Sequence, residues 1–159
     1  MKIFVLSDTH IPKSADWLPK KLCDELQDAD LILHAGDLTD IDVYNRLKKI
    51  APVRAVHGNM DDSILCKTLP EKDIIDAGIY KIGLIHGYGP PFGLTERVAR
   101  EFSGVDIIVF GHSHSPKNET KNGVLFFNPG SPTDKIFTRS NSYGVIELNG
   151  KIESRIVRL

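Results

Sequence analysis

The stretch MKIFVLSDTH at residues 1–10 joins a short apolar run to an abrupt polar ending, and the chain repeats this arrangement. It recurs in LILHAGD at residues 31–37 and in VRAVHGNMD at residues 53–61. Each apolar run has the length and composition of a buried strand. The predicted strands span residues 2–6, 31–33 and 53–56. Polar residues that follow such strands lie where open α/β sheets bind their ligands.

Amphipathic helices are predicted between these strands, because apolar residues recur there every three or four positions. The apolar positions are Leu18, Leu22 and Leu26 in the first helix and Val43, Leu47 and Ile50 in the second. Pro19 stands near the start of the first helix, and Asp40 or Asp42 is the expected N-cap of the second. The β-α-β-α-β order implies parallel strands with right-handed crossovers.

The second half of the chain is expected to be largely antiparallel, because turn residues separate its β-rich runs. The turn signals are Gly78, Asn122-Gly123 and Asn149-Gly150, and Asn-Gly is favoured in two-residue hairpins. The predicted hairpins pair residues 73–76 with 79–85, 116–120 with 124–127, and 142–148 with 151–157. A single strand is predicted at 105–110, and a helix with apolar positions Leu94, Val98 and Phe102 is predicted to end at Gly104.

The composition predicts one globular domain over residues 1–159, with 41% hydrophobic and 26% charged residues. The net charge of −1 argues against a large nucleic-acid footprint and against a polybasic membrane anchor. No apolar run approaches the roughly 20 residues of a membrane helix, and the first run ends too soon for a secretory signal. Cys23 and Cys66 are therefore expected to be reduced thiols in a cytoplasmic protein.

All six histidines lie within a few residues of the C-terminal end of a predicted strand. The polar groups at these ends are Ser7-Asp8-Thr9-His10, His34-Ala35-Gly36-Asp37, His57-Gly58-Asn59-Met60-Asp61, His86-Gly87 and Gly111-His112-Ser113-His114. Taken singly, most have an ordinary explanation as turn residues, helix caps or buried core histidines. The His112-x-His114 pair is more specific, because alternate residues of an extended segment project to the same side.

Together these loops supply two carboxylates, one carboxamide and four imidazoles, and the set contains no thiolate. Its members are Asp8, His10, Asp37, Asn59, His86, His112 and His114. Nitrogen and oxygen ligands without sulfur suit manganese, iron, cobalt, nickel or zinc. Seven ligands exceed what one ion with an open position needs, so we expect two ions that share a carboxylate. Two carboxylates offset only part of the charge of two divalent ions, so the site would attract a phosphate anion.

These motifs, in this order, resemble those of the calcineurin-like metallophosphoesterase superfamily: D-x-H, G-D, G-N-x-D/E, H and G-H-x-H. The match runs from residue 8 to residue 114. The loop Asn128-Pro129-Gly130-Ser131 also resembles that of the superfamily's small single-domain prokaryotic phosphodiesterases. The resemblance implies an α/β fold of four layers, a two-sheet β-sandwich flanked by helices, with a dinuclear site at the strand ends.

The family pattern also implies which residues bind each ion. By that pattern, one ion is bound by Asp8, His10, Asp37 and His114, and the other by Asp37, Asn59, His86 and His112. Asp37 would bridge the two ions, and the same seven residues are the expected catalytic residues. Manganese is the first expectation for both ions, with nickel, cobalt, iron or zinc as alternatives. His34 and His57 fall outside the pattern and are expected to have packing roles.

The implied activity is hydrolysis of a small phosphodiester or cyclic nucleotide by in-line attack of a metal-bridging hydroxide. Met60 stands where much of the superfamily has a histidine that donates to the phosphoryl oxygen or leaving group, and methionine cannot donate. Activated aryl diesters and strained cyclic nucleotides are therefore the expected substrates. Asp61 would normally orient that histidine, so its role here is open. Tyr88 and Phe92 either stack on a substrate or belong to a plain connecting loop.

A non-catalytic protein-interaction scaffold on the same fold, like the phosphoesterase-like retromer subunit, is the alternative function. Loss of ligands would favour that function, whereas every ligand position is filled here. A metallo-β-lactamase-like hydrolase would need H-x-H-x-D-H, but Ser115 and Pro116 follow His114. No membrane partner is expected, and the sequence leaves open whether the protein forms a homodimer.

Overall fold

The computed structural model describes residues 1–138 and 140–159, which form two mixed five-stranded sheets with four short α-helices. The strands are β1 Lys2–Leu6, β2 Leu31–His34, β3 Val53–Ala55, β4 Lys72–Ala77, β5 Tyr80–Ile85, β6 Ile107–Val109, β7 Lys117–Lys121, β8 Val124–Asn128, β9 Ser142–Leu148 and β10 Ile152–Arg158. The helices are α1 Lys20–Glu25, α2 Ile41–Leu47, α3 Ser63–Thr68 and α4 Leu94–Ala99, and a 3₁₀ turn occupies Leu26–Asp28. None of the described helices has the length and apolar character needed to span a membrane.

The first sheet has the strand order β10-β9-β1-β2-β3, and the second has the order β4-β5-β6-β8-β7. Strands β1, β2 and β3 are parallel, as the sequence predicts, and β9 pairs antiparallel with β1. The expectation of a largely antiparallel second half is wrong at the centre of the second sheet, where β5, β6 and β8 are parallel. For β5 and β6 the reason is the connection through α4, because a helical crossover returns the chain to the same end of the sheet before β6 begins. β6 and β8 are parallel because β7, which lies between them in the chain, runs antiparallel to β8 at the edge of the sheet.

Three apolar clusters divide the molecule into four layers. Between the sheets lies a core built from alternate strand residues of both, such as Val5 and Phe127. The other face of the first sheet, including Phe4, packs against α1 to α3 through residues such as Leu22. The outer face of the second sheet packs against Val98 of α4. This order of helices, sheet, sheet and helix confirms the predicted fold class and places the carboxyl ends of the parallel strands at one edge.

The helices are shorter than the predicted stripes: Leu18 precedes α1, Leu26 lies in the 3₁₀ turn after it, and Ile50 lies beyond the end of α2. The other two helices differ more. No pattern predicts α3, which buries only Leu65 and begins after Asp62, whose carboxylate accepts from the backbone N–H groups of Ile64 and Leu65. In the other case, α4 ends before Phe102, so the last apolar position of the predicted stripe lies outside the helix. The ring of Phe102 instead packs closely over Gly83 of β5.

Candidate metal centre

The structure brings all seven predicted ligands together in the loops that follow β1, β2, β3, β5 and β6. Five of them have a positive backbone φ, a conformation uncommon outside glycine. They are Asp8 (54°), His10 (46°), Asp37 (57°), His112 (67°) and His114 (54°). Among the residues that the structure describes, only Thr39 and Asn122 are further non-glycine cases. The expectation of an extended segment at His112-x-His114 is therefore wrong, because both histidines have left-handed backbone in a loop. Strained backbone concentrated in one place is typical of a functional site.

One group of ligand atoms belongs to Asp8, His10 and His114, and these atoms lie within 4.8 Å of one another. The carboxylate of Asp8 is fully buried, and its Oδ1 lies 3.4 Å from Nε2 of His114. Nε2 of His10 lies 3.3 Å from the same His114 nitrogen. The backbone N–H of His112 donates to both oxygens of Asp8, at 3.2 and 3.1 Å, and so fixes the carboxylate in place.

A second group consists of the buried residues Asp8, Asp37 and His86. Oδ2 of Asp37 lies 3.3 Å from Nε2 of His86 and 3.6 Å from Nε2 of His10. The other oxygen of Asp37 accepts from the backbone N–H of Met60 at 2.8 Å. Asp8 belongs to both groups, and Oδ2 of Asp37 lies near both His86 and His10, so either carboxylate could be shared if two ions were bound.

His86 presents an unpaired nitrogen to this site. Its Nδ1 lies 2.7 Å from the carbonyl oxygen of Ala35, and because a carbonyl only accepts, Nδ1 carries the proton. Nε2 of the neutral ring is then a lone pair, and this buried atom makes no hydrogen bond within the part of the chain that the structure describes. A buried nitrogen lone pair beside two carboxylates is the arrangement expected of a metal ligand.

His112, like His86, has one ring nitrogen hydrogen-bonded to a backbone carbonyl and the other facing an acceptor, here the side chain of Asn59. Nε2 of His112 lies 2.8 Å from the carbonyl oxygen of Gly89, so that nitrogen carries the proton and Nδ1 is the lone pair. Nδ1 in turn lies 3.1 Å from Oδ1 of Asn59, which also offers only lone pairs. Two acceptors that face each other lack the positive partner that a cation would supply. The His112 ring also lies against that of His86, with the ring centroids 5.2 Å apart.

The electrostatics of the site favour a cation. Burial raises the pKa of Asp8, although the imidazoles of His86 and His114 oppose this. Burial works against the charged form of His86 as well, yet Asp37 and Asp8 raise the pKa of its ring to about 9, so near neutral pH a proton occupies the Nε2 lone pair unless a metal ion displaces it. Burial also disfavours the ionised form of Asp37, but the interactions with His86 and the Met60 N–H keep its pKa below the ordinary value. These buried carboxylates and lone pairs fit a divalent first-row metal ion.

Asp61, whose role the sequence leaves open, joins the loops that carry the ligands. Its carboxylate accepts from the backbone N–H groups of Gly58 at 2.7 Å, Thr39 at 2.6 Å and Asp37 at 3.1 Å. It therefore ties the loop after β3 to the loop after β2. Burial raises the pKa of Asp61, and these three N–H donors act in the opposite direction.

Asp134 is a polar residue of the site that sequence reasoning misses, because it lies outside the family motifs. Its Oδ2 lies 2.7 Å from Nδ1 of His114. Burial opposes its ionisation, but hydrogen bonds from the backbone N–H groups of Ile136 and Phe137 and from His114 lower its pKa. The family-like loop at residues 128–131, which ends three residues before Asp134, is the only sequence signal near it.

His34 and His57 differ in their surroundings. His34 is fully buried, and burial lowers the pKa of its ring to about 3. Its Nε2 lies 3.2 Å from Oγ1 of Thr9, so it packs beneath the loop after β1 without belonging to either ligand group. His57 is half-buried and lines a cleft of about 200 Å³ with Asn59 and Tyr88.

The loops next to the site carry exposed apolar side chains, which form an apolar rim. They are Met60 (48%), Tyr88 (47%), Phe92 (85%), Ile136 (81%) and Phe137 (75%). Tyr88 lines the cleft beside Asn59, whereas Phe137 stands edge-on to His114, with the ring centroids 5.3 Å apart. A second cleft of about 220 Å³ lies between Pro91 and Phe137, over His112 and His114. The candidate site thus opens into two clefts, one along each side.

A family model described as the calcineurin-like phosphoesterase superfamily domain matches residues 1–151. A protein named "Probable metallophosphoesterase" from Methanothermobacter thermautotrophicus is 38% identical over 161 residues, covering 99% of this chain and 92% of that protein. A second protein of that name, from Methanocaldococcus jannaschii, is 43% identical over 136 residues, covering 84% of this chain and 69% of that protein.

Solved structures of Vps29 from Entamoeba histolytica have a similar fold. A single mutant of that protein is 28% identical, with a TM-score of 0.80 and coverage of 100% of this chain and 99% of the other. The wild-type protein, solved in complex with Zn²⁺, is 26% identical, with a TM-score of 0.77 and coverage of 99% of both chains.

Proposed function

Because this chain belongs to the calcineurin-like phosphoesterase superfamily, we propose that it is a phosphodiesterase that depends on two divalent metal ions. The observation that carries the proposal is the pair of overlapping ligand groups that share the fully buried Asp8. A purely structural role does not explain why two carboxylates are buried among four imidazoles. Burying two carboxylates costs free energy of folding unless a cation compensates their charge.

In the proposed centre, the seven residues Asp8, His10, Asp37, Asn59, His86, His112 and His114 hold the two ions and are the catalytic residues. Two such ions supply a nucleophilic water at neutral pH and neutralise charge on the phosphoryl oxygens. The protein's own part is to fix the ligands through the Ala35 and Gly89 carbonyls and the Met60 N–H. Manganese is the first candidate for both ions, and nickel, cobalt, iron and zinc remain candidates because the donor set suits them all.

Phosphodiesters are preferred over monoesters in this proposal for two reasons. Met60 provides no donor for a poor leaving group, so substrates with activated aryl or strained cyclic esters should react best. The two clefts, beside Tyr88 and beside Phe137, offer room for the two substituents of a diester. Their apolar walls suit an aryl group or a nucleobase.

The proposal is tested with protein stripped of metal by a chelator and reloaded separately with manganese, nickel, cobalt, zinc or magnesium. We expect hydrolysis of bis(p-nitrophenyl) phosphate to exceed that of p-nitrophenyl phosphate, and elemental analysis to find two ions per chain. Asp37→Ala should lose one or both ions together with most of the activity, whereas Asp76→Ala, an exposed change on β4, should lose neither. Two retained ions and unchanged turnover in Asp37→Ala would contradict the proposed centre.

A protein-interaction scaffold is the second candidate, favoured by the likeness to Vps29 and by the exposed apolar rim around Phe92 and Phe137. Exposed apolar patches often mark binding surfaces. An intact two-ion centre that hydrolyses neither aryl diesters nor cyclic nucleotides with any of the five metals would favour the scaffold. The cytoplasmic location and the single-domain organisation stay predictions.

A further inference from the structure

The contact between Asp134 and His114 assigns the proton of the His114 ring. Nδ1 of His114 lies 2.7 Å from Oδ2 of Asp134, and the two side chains are only 12% and 5% exposed. An ionised carboxylate can only accept, so Nδ1 carries the proton. The lone pair of the neutral ring is then on Nε2, the atom that lies 3.4 Å from Oδ1 of Asp8.

Asp134 is itself held firmly by its own turn. The backbone N–H of Ile136 donates to its Oδ1 at 2.7 Å, and that of Phe137 donates to both oxygens. The backbone N–H of Asp134 donates to Oγ of Ser131 at 2.9 Å, and that hydroxyl donates to the carbonyl oxygen of Asp8 at 2.7 Å. Asp134 is thereby tied to the loop that carries Asp8.

We propose that Asp134 is a positioning residue, which fixes the ring orientation and the tautomer of His114 for metal binding. This inference rests on the proposed function, in which His114 is a ligand. The corresponding partners of His86 and His112 are the neutral carbonyls of Ala35 and Gly89. A charged partner raises the basicity of an imidazole ligand more than a neutral one does. Asp134 therefore strengthens the binding of the ion held by His114 more than that of the other ion.

A purely structural role in closing the turn is the competing explanation, and metal titration by calorimetry separates the two. We expect Asp134→Ala to weaken one of the two binding steps by roughly 10- to 100-fold, the range typical of such outer partners, and to leave the other within about twofold. Asp134→Asn keeps an acceptor oxygen without the charge and should show a smaller loss. The control is Lys135→Ala, an exposed change in the same turn that should alter neither step. If Asp134→Ala binds each of the two ions as tightly as wild type does, the proposal is overturned.

A double-mutant cycle tests whether Asp134 acts through His114. If it does, Asp134→Ala in a His114→Ala background should bind metal as His114→Ala alone does, because the partner through which it acts is gone. A further loss of similar size in the double variant would mean that Asp134 supports the turn generally, and the proposal would be wrong.

Nitrogen NMR of the metal-free protein provides a readout that does not depend on any ion. In the neutral ring, His114 should carry its proton on Nδ1 in wild type, and a mixture of tautomers should replace it in Asp134→Ala. An unchanged tautomer in that variant would refute the positioning role, even if the protein proved to bind no metal. If wild type binds no ions but the tautomer still differs between wild type and Asp134→Ala, the proposed function is refuted and the effect of Asp134 on the His114 ring stands.

Discussion

Met60 contributes its backbone to the candidate site and leaves its side chain free. Its N–H donates to Oδ1 of Asp37 at 2.8 Å, and its side chain is half-exposed at the rim. Because the backbone bond does not depend on the side chain, Met60→His should preserve the centre and add a proton donor beside it. We expect the ratio of monoester to diester turnover to rise about tenfold or more, measured as kcat/KM on matched p-nitrophenyl esters.

The matched control is Met60→Leu, which changes the shape of the side chain without adding a donor. Its ratio of monoester to diester turnover should stay near that of wild type. If Met60→His leaves the ratio unchanged, or if Met60→Leu raises it equally, then the missing donor does not set the preference for diesters.

Asp61 and Asp62 are neighbours in sequence but accept hydrogen bonds from different parts of the fold, so their alanine variants should differ in stability. Asp61→Ala leaves three backbone N–H groups in the site loops without their acceptor, so we expect a loss of about 2–4 kcal/mol in the free energy of unfolding. Asp62→Ala removes only the N-cap of α3 and should cost about 1 kcal/mol. Urea unfolding of both variants measures the difference, and equal losses would contradict the tying role of Asp61.

The seven proposed ligands could be predicted as a set because each follows a strand within a recognisable motif. Asp61 and Asp134 could not be given their roles in this way. Their partners are the backbone N–H groups of other loops in one case and the ring of a ligand in the other. Such contacts depend on how loops distant in sequence approach one another, and no local pattern encodes that approach.

The rim segment at residues 88–93 is held in shape by one side chain of α4. The Arg97 guanidinium donates to the carbonyl oxygens of Tyr88 at 2.9 Å, Phe92 at 2.8 Å and Pro90. A lysine has no rigid fork and cannot span three carbonyls at once. We expect Arg97→Lys to speed chymotrypsin cleavage after Tyr88 or Phe92 about tenfold, as followed by mass spectrometry.

Arg100→Lys is the control for this segment, because Arg100 lies just past the end of α4 and its side chain is exposed. It should leave the cleavage rate unchanged. If Arg97→Lys is cleaved no faster than wild type, then the rim does not depend on the guanidinium for its shape.

Secondary structure was predictable where a strong local signal exists. Both Asn-Gly pairs occupy hairpin turns, between β7 and β8 and between β9 and β10, as turn chemistry requires. In contrast, α3 could not be predicted, because a helix of six residues with one buried side chain has no repeating apolar positions in its sequence. Phe102 matches the helical spacing of α4 but lies beyond it, since packing over Gly83 determines its place.

The separation of the two sheets depends on a glycine in β9. A Cβ added at Gly144 would clash with the ring of Phe127 and would come within 3.2 Å of Cβ of Val5. Both neighbours belong to the core between the sheets. We therefore expect Gly144→Ala to lower the free energy of unfolding by about 1–3 kcal/mol, the usual cost of overpacking a core. Urea denaturation measures the loss.

Phe127→Leu in the Gly144→Ala background provides the check. If the clash with the ring is the cause, the double variant should be more stable than the sum of the two single losses predicts. Strict additivity of the two changes would show that the glycine is needed for another reason.

Which sheet each hairpin would join was not predictable from the sequence. The β9–β10 hairpin lies far along the chain from β1, yet it completes the first sheet through pairs such as Phe4 with Val145. The pattern of the hairpin shows that one face is apolar, but either sheet of a sandwich could bury such a face. The register with β1 and the fit of Gly144 against Phe127 decide the matter, and both are tertiary effects.

The late pairing of β1 with β9 has a consequence for synthesis. β1 leaves the ribosome long before residues 142–148 exist, so on that side the nascent chain carries an apolar strand with an open edge for much of translation. Open edges of this kind are templates for aggregation. Until β9 is made, this edge has no partner strand on that side, even though every proposed metal ligand has already been synthesised.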